Sequence, residues 1–72
     1  MVSFEAARKF KGQNIAVDYN RGGYSEGYGV GAYFWGGHPV FEIHIGGVPF
    51  VLPLGDIKSI GPSSNTDKPL ED

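Results

Sequence analysis

Cysteine is absent from the 72 residues and histidine occurs only twice. Neither a disulfide framework nor a thiolate zinc site can therefore hold the chain together, and burial of apolar surface must do so. No apolar run approaches the roughly 20 residues that cross a bilayer as a helix, and the start MVSFEAARKFK has no apolar signal-peptide core. These absences point to a cytoplasmic protein with no membrane partner. Charge is also sparse, at 19% of residues and a formal net of −2. That net charge resides in Asp67, Lys68, Glu71 and Asp72, while residues 1–60 balance five basic against five acidic groups. Arg8, Lys9, Lys11 and Arg21 outnumber Glu5 and Asp18 early in the chain. This weakly basic end is no match for the dense patch of an electrostatically driven nucleic-acid binder.

Glycine and aromatic side chains are plentiful by contrast, with 12 Gly and ten Phe, Tyr and Trp beside 5 Pro. A chain of this length forms one domain and buries only about 60% of the surface its unfolded form exposes, which leaves no room for a large enclosed active site. Its glycines and prolines predict a turn-rich, all-β fold. Ser3 is placed to cap a short helix over about residues 3–11, with Glu5 in its first turn, Arg8, Lys9 and Lys11 near its end, and Gly12 as its stop. Phe4, Ala7 and Phe10 share one face of it. Strands follow at 15–19, where Ile15, Val17 and Tyr19 point one way, and at 27–35, 40–45, 48–53 and 57–60. Residues 1–61 form the domain, and the acidic tail 62–72 is too poor in apolar side chains to order itself.

Gly46-Gly47, between FEIHI and VPFVLPL, is the strongest local signal. It predicts a two-residue hairpin turn with positive φ at both positions. Counting outward pairs Ile45 with Val48, Ile43 with Phe50 and Phe41 with Leu52, six apolar side chains on a core face. Val40, Glu42, His44, Pro49, Val51 and Pro53 fall on the opposite face. In that register Pro49 and Pro53 lack only N–H groups that would have pointed away from the partner strand, so the free edge of strand 48–53 resists further pairing.

Gly27-Tyr28-Gly29-Val30-Gly31-Ala32 loosely matches a dinucleotide-binding loop, but a strand follows it where a helix is needed to hold pyrophosphate, and no cofactor is expected. Read as a strand, it places Gly27, Gly29 and Gly31 on one face with Trp35, and Tyr28, Val30, Ala32 and Phe34 on the other. A glycine stripe lets a strand coil sharply or another backbone approach closely. Trp35 then covers the missing side chains.

The order of short helix, strand, glycine turn, long bent strand, hairpin and short last strand resembles the Sm-like or Hfq-like small β-barrel, a relative of SH3-type barrels. Ile15-x-Val17-x-Tyr19-x-x-Gly22-x-x-x-x-Gly27-x-x-x-Gly31 and Leu54-Gly55-Asp56-Ile57-Lys58-Ser59-Ile60 carry the likeness, over about residues 3–61. The resemblance implies a five-stranded, strongly bent barrel, a possible RNA partner and ring assembly through the fourth and fifth strands. This chain departs from the family's RNA pocket, holding Tyr33 and about Gly37 in place of its acidic residue and asparagine, and Pro53-Leu54 or Leu54-Gly55 in place of its Arg-Gly or Lys-His.

RNA contact would then rest on stacking by Tyr33 or Trp35, helped by His38, Arg21 or Lys58. The other expectation is a protein-interaction or homo-oligomeric assembly module using Tyr24, Tyr28, Tyr33 and Trp35. Glu42 and His44, two apart on one strand, read as solvent-facing partners rather than metal ligands, since three or four convergent ligands are usual. With no nucleophile and base in a recognisable pairing, no catalytic residue is assigned and a binding module is expected.

Overall fold

The computed structural model describes residues 2–63, as one helix and one antiparallel sheet. Helix α1 (Phe4–Arg8) is followed by β1 (Asn14–Tyr19), β2 (Tyr24–Trp35), β3 (His38–Ile45), β4 (Val48–Pro53), a 3₁₀ turn at Leu54–Asp56, and β5 (Ile57–Pro62). The spatial order is β4-β3-β2-β1-β5, so β2 is central and β4 and β5 are the edges.

Ser3 caps the helix, its Oγ accepting from the Ala6 N–H at 3.1 Å. The helix is shorter than the expected 3–11: after Arg8 the chain unwinds through turns, and Gly12 donates to Gly29 O at 2.8 Å. Phe4 and Phe10 pack on the core while Ala7 is fully buried in it, as their shared spacing predicts. The core proper is Ala7, Ile15, Val17, Phe41, Ile43, Leu54 and Ile57.

The β3–β4 hairpin forms in the expected register, from Ile45↔Val48 to Phe41↔Leu52 and Val40↔Pro53, around Gly46 and Gly47 at φ +60° and +84°. Its two faces are less uniform than alternation implies. Phe41 and Ile43 are fully buried, yet Val48 and Phe50 on the same face stay 53% and 45% exposed, on the edge strand of the sheet. Val40, on the opposite face, is buried between its cross-strand neighbours Tyr33 and Pro53.

The stretch from Gly27 to Gly31 departs from simple alternation. Gly29 pairs with Ile43 but Gly31 pairs with Glu42, so Val30 is an extra residue in β2, a β-bulge. The bulge turns Gly31, Tyr33 and Trp35 to the outer face, away from Gly27 and Gly29; the three glycines do not share one face. Gly31 has φ +150°, a conformation that side-chain-bearing residues rarely adopt. Gly27 and Gly29 serve close approach: a Cβ would lie 2.4 Å from the His44 carbonyl oxygen at Gly27, and 2.8 Å from that of Phe10 at Gly29. The backbone of His44 and Phe10 and the side chains of Ile43 and Phe41, not Trp35, fill the space over these two glycines, and Trp35 stands 62% exposed.

β2 begins at Tyr24, β3 at His38, and β5 continues through Pro62, beyond the expected limits in each case. Ser63 is buried and its N–H donates to Asn14 O at 3.1 Å. Residues 62 and 63 therefore belong with the folded part, and the remainder of the expected disordered tail, residues 64–72, lies outside the described residues.

Candidate functional site

The outer face of β2 carries the most concentrated chemistry. Before the bulge, pairing with β1 puts Tyr24 opposite Asp18, Glu26 opposite Ala16 and Tyr28 opposite Asn14, while Gly27 joins Ile15 on the core side. After the bulge, Gly31, Tyr33 and Trp35 take the same outer face, opposite Glu42, Val40 and His38. Tyr24 and Tyr28 have even numbers, Tyr33 and Trp35 odd ones; an unbroken strand would send the two pairs to opposite faces. The extra residue brings all four aromatics onto one face. Tyr24, Tyr28, Tyr33 and Trp35 are 63, 49, 37 and 62% exposed.

One of them is held by a hydrogen-bond relay. Tyr33 Oη donates to Glu42 Oε1 at 3.0 Å, and His44 Nε2 lies 2.8 Å from Glu42 Oε2. An ionised carboxylate only accepts, so that imidazole nitrogen carries the proton. The His44 bond first, then the Tyr33 bond, holds the Glu42 carboxyl below the usual carboxylate range, against a small opposing effect of burial. Glu42 in turn raises the Tyr33 phenol, chiefly through the shared hydrogen bond. The relay ties the Tyr33 phenol to β3. It is half-buried, and among the described residues no three His, Asp or Glu side chains converge on a metal position.

The five residues singled out for nucleic-acid or partner contact fall into two groups. Tyr33, Trp35 and His38 meet at the β2–β3 turn, where Trp35 pairs with His38 around Gly36-Gly37. Arg21 sits in the β1–β2 turn, lining a groove of about 480 Å³ with Tyr19, Asn20, Gly22 and Asp56. Lys58 lies near that turn, beside the irregularity at Asp18 and Tyr19 in the β1–β5 ladder. The 11 steps of β2 between Tyr24 and Trp35 amount to roughly 36 Å of extended strand, so no single small ligand engages both groups.

Cations do stand close to Tyr33, but they come from α1. A groove of about 320 Å³ is lined by Arg8, Lys11 and residues Val30, Gly31, Ala32 and Tyr33. Above it the Arg8 guanidinium sits 5.9 Å from the centre of the Phe4 ring, and Phe4 stacks at 4.8 Å on Phe34, itself 60% exposed. Sequence reasoning missed Arg8, Lys11 and Phe34 as neighbours of the aromatic turn. The signal was the apolar face of Phe4, Ala7 and Phe10, which had to pack against the sheet.

Comparison with known proteins finds no matching family model, no similar curated protein and no similar solved structure.

Proposed function

We propose that this chain is a non-enzymatic interaction module, a small bent barrel of the Sm-like type whose working surface is the outer face of β2. The five-stranded order with β2 at its centre, the close approach of β3 backbone at Gly27 and the bulge at Val30 support the barrel reading. The functional reading rests on one observation: the Val30 bulge collects Tyr24, Tyr28, Tyr33 and Trp35 on one exposed face. Large aromatics supply contact area at little conformational cost and are enriched at the centres of protein interfaces. The charged side chains on that face of the strands are Asp18, Glu26 and Glu42, with no lysine or arginine among the paired positions. That strand charge favours a protein partner over phosphate, the cations near Tyr33, Arg8 and Lys11, being supplied from the α1 side.

A second reading, RNA binding, draws on the Arg8 and Lys11 groove beside Tyr33, where stacking on Tyr33 or Trp35 would combine with two cations. One experiment separates the two. Trp35 is the only tryptophan, so its fluorescence reports directly on the surface. Affinity capture from extract of the source cells is compared for wild type, Tyr28→Ala, Trp35→Ala and the distant control Lys58→Ala. Mixed-sequence single-stranded RNA is titrated in parallel at low and high salt. The proposal expects one protein that the two aromatic variants lose and the control keeps, with no quenching by RNA. Salt-sensitive quenching by RNA would move the function to nucleic acid. Absence of both would defeat the surface as a binding site.

A further inference from the structure

β1 accompanies β2 only as far as the Asn14↔Tyr28 pair, whereas β3 stays with β2 to Trp35↔His38. Residues 31 to 35 are therefore paired on one side only. Trp35 and His38 flank a two-residue turn and form a hydrogen-bonded pair; counting in twos, so do Tyr33↔Val40 and Gly31↔Glu42. Ala32 and Phe34 consequently direct their N–H and C=O groups away from β3. Among the described residues these outward groups find no partner. They point to the side where Arg8 and Lys11 wall the groove whose floor is residues 30 to 33. The Lys11 side-chain stem lies along Gly31, 3.7 Å from the position a Cβ would take.

The contrast with β4 is direct. That edge has lost two outward donors to Pro49 and Pro53, which discourages strand addition, while the distal edge of β2 carries no proline and keeps both of its donors. We propose that the groove between α1 and the distal half of β2 is a strand-addition site for an extended acidic segment of a partner protein. The backbone groups of Ala32 and Phe34 supply ladder hydrogen bonds, and Arg8 and Lys11 receive carboxylates of the incoming strand, a charge-assisted pairing that selects acidic over basic sequences. Glu42, the nearest strand carboxylate, is turned to the outer face and engaged by Tyr33 and His44. This inference rests on the reading of the chain as a protein-interaction module and gives it a second contact, of stated chemistry.

The test selects ten-residue peptides from a random displayed library on the immobilised full chain, then follows amide exchange by NMR with the strongest binder. Enriched peptides should carry Asp or Glu at alternate positions and slow exchange at the Ala32 and Phe34 amides at least tenfold. Ala32→Pro, which removes an outward donor as Pro49 does in β4, should abolish that binding; Lys11→Glu should weaken it at least tenfold, and Tyr28→Ala should leave it unchanged. If Ala32→Pro fails to fold, Lys11→Glu and Arg8→Glu carry the test. Several results would overturn the site: no enrichment, enrichment of basic sequences, or binding indifferent to Lys11→Glu. Slow exchange at both amides in the free chain would also overturn it, by showing the edge filled from within or by a second copy. Groove peptides without an aromatic-face partner would sink the proposed function alone, and a partner lost on Tyr28→Ala without groove peptides would sink this inference alone.

Discussion

The two halves of β2 are built on different terms. From Tyr24 to Gly27 the strand is paired with β1 alone, Tyr28 pairs with both β1 and β3, and neighbouring atoms press so closely on Gly27 and Gly29 that these two positions admit no side chain. From Gly31 to Trp35 it is paired on one side, and three consecutive aromatics stand exposed at its end. The first half is crowded at its glycines, while the second has no such crowding and ends in exposed aromatics. Val30 joins them, and by adding one residue it also lines up the aromatics of both halves on a single face.

Substitution in the crowded half should do the most damage. In Gly27→Ala the new Cβ would meet the His44 carbonyl oxygen at 2.4 Å, and backbone cannot yield as a flexible side chain does. We expect a loss of about 3 kcal/mol or more, in the range of severe overpacking, read as a drop in the urea midpoint. Wild-type stability in that variant would mean the strands are not in this contact. At the junction, Gly31→Ala meets no crowding but must adopt φ +150°. Its cost should be smaller, about 1–3 kcal/mol, and stability equal to wild type would argue against the bulge geometry.

In the open half the effects should be on contact rather than on folding. Trp35→Ala should change stability by no more than about 0.5 kcal/mol while removing partner binding. Trp35 emission in the free wild-type protein should be that of a solvent-exposed indole, and a strongly blue-shifted spectrum would show the residue buried. The smallest effect is electrostatic. The Glu42 carboxyl titrates lower in the folded chain than in the unfolded one, so its bonds to His44 and Tyr33 contribute above the ordinary carboxylate pKa of about 4.3 and are lost as pH falls through the lowered folded value. Glu42→Gln should therefore flatten part of the acid limb of the stability curve and leave the rest unchanged. On the alkaline side the Tyr33 phenol is raised, so it should ionise after the ordinary tyrosine range of about 10 in spectrophotometric titration. Ionisation of all four tyrosines at the ordinary value would contradict the Tyr33–Glu42 bond.

The β3–β4 hairpin was legible because one feature, Gly46-Gly47, fixed its register and the apolar alternation on both sides agreed with it. β2 was misread because alternation was carried through without a break. The information needed was present in a second two-residue loop, Gly36-Gly37. Counting outward from Trp35↔His38 puts Ala32 opposite Phe41 on the core side, while counting from β1 puts Gly27 opposite Ile15 on that same side. Positions 27 and 32 differ by an odd number, and only an extra residue between them reconciles the two counts. The groove beside α1 was less accessible, since it depends on where a five-residue helix packs, and no local pattern fixes that. Arg21 and Lys58 were grouped with the aromatics by charge type alone, and the topology sends them to the other end of β2.

The shared aromatic face depends on the bulge, and cross-strand Hα–Hα contacts in a solution NMR spectrum test that bulge most directly. With Val30 as the extra residue, Ala32 and Phe41 form a close non-hydrogen-bonded pair, about 4.5 Å between Cα atoms, and their Hα protons should show a strong contact. A contact of Ala32 with Val40 instead would mean continuous pairing from Gly29 onward. It would place Tyr33 and Trp35 away from Tyr24 and Tyr28, and the shared aromatic face would not exist.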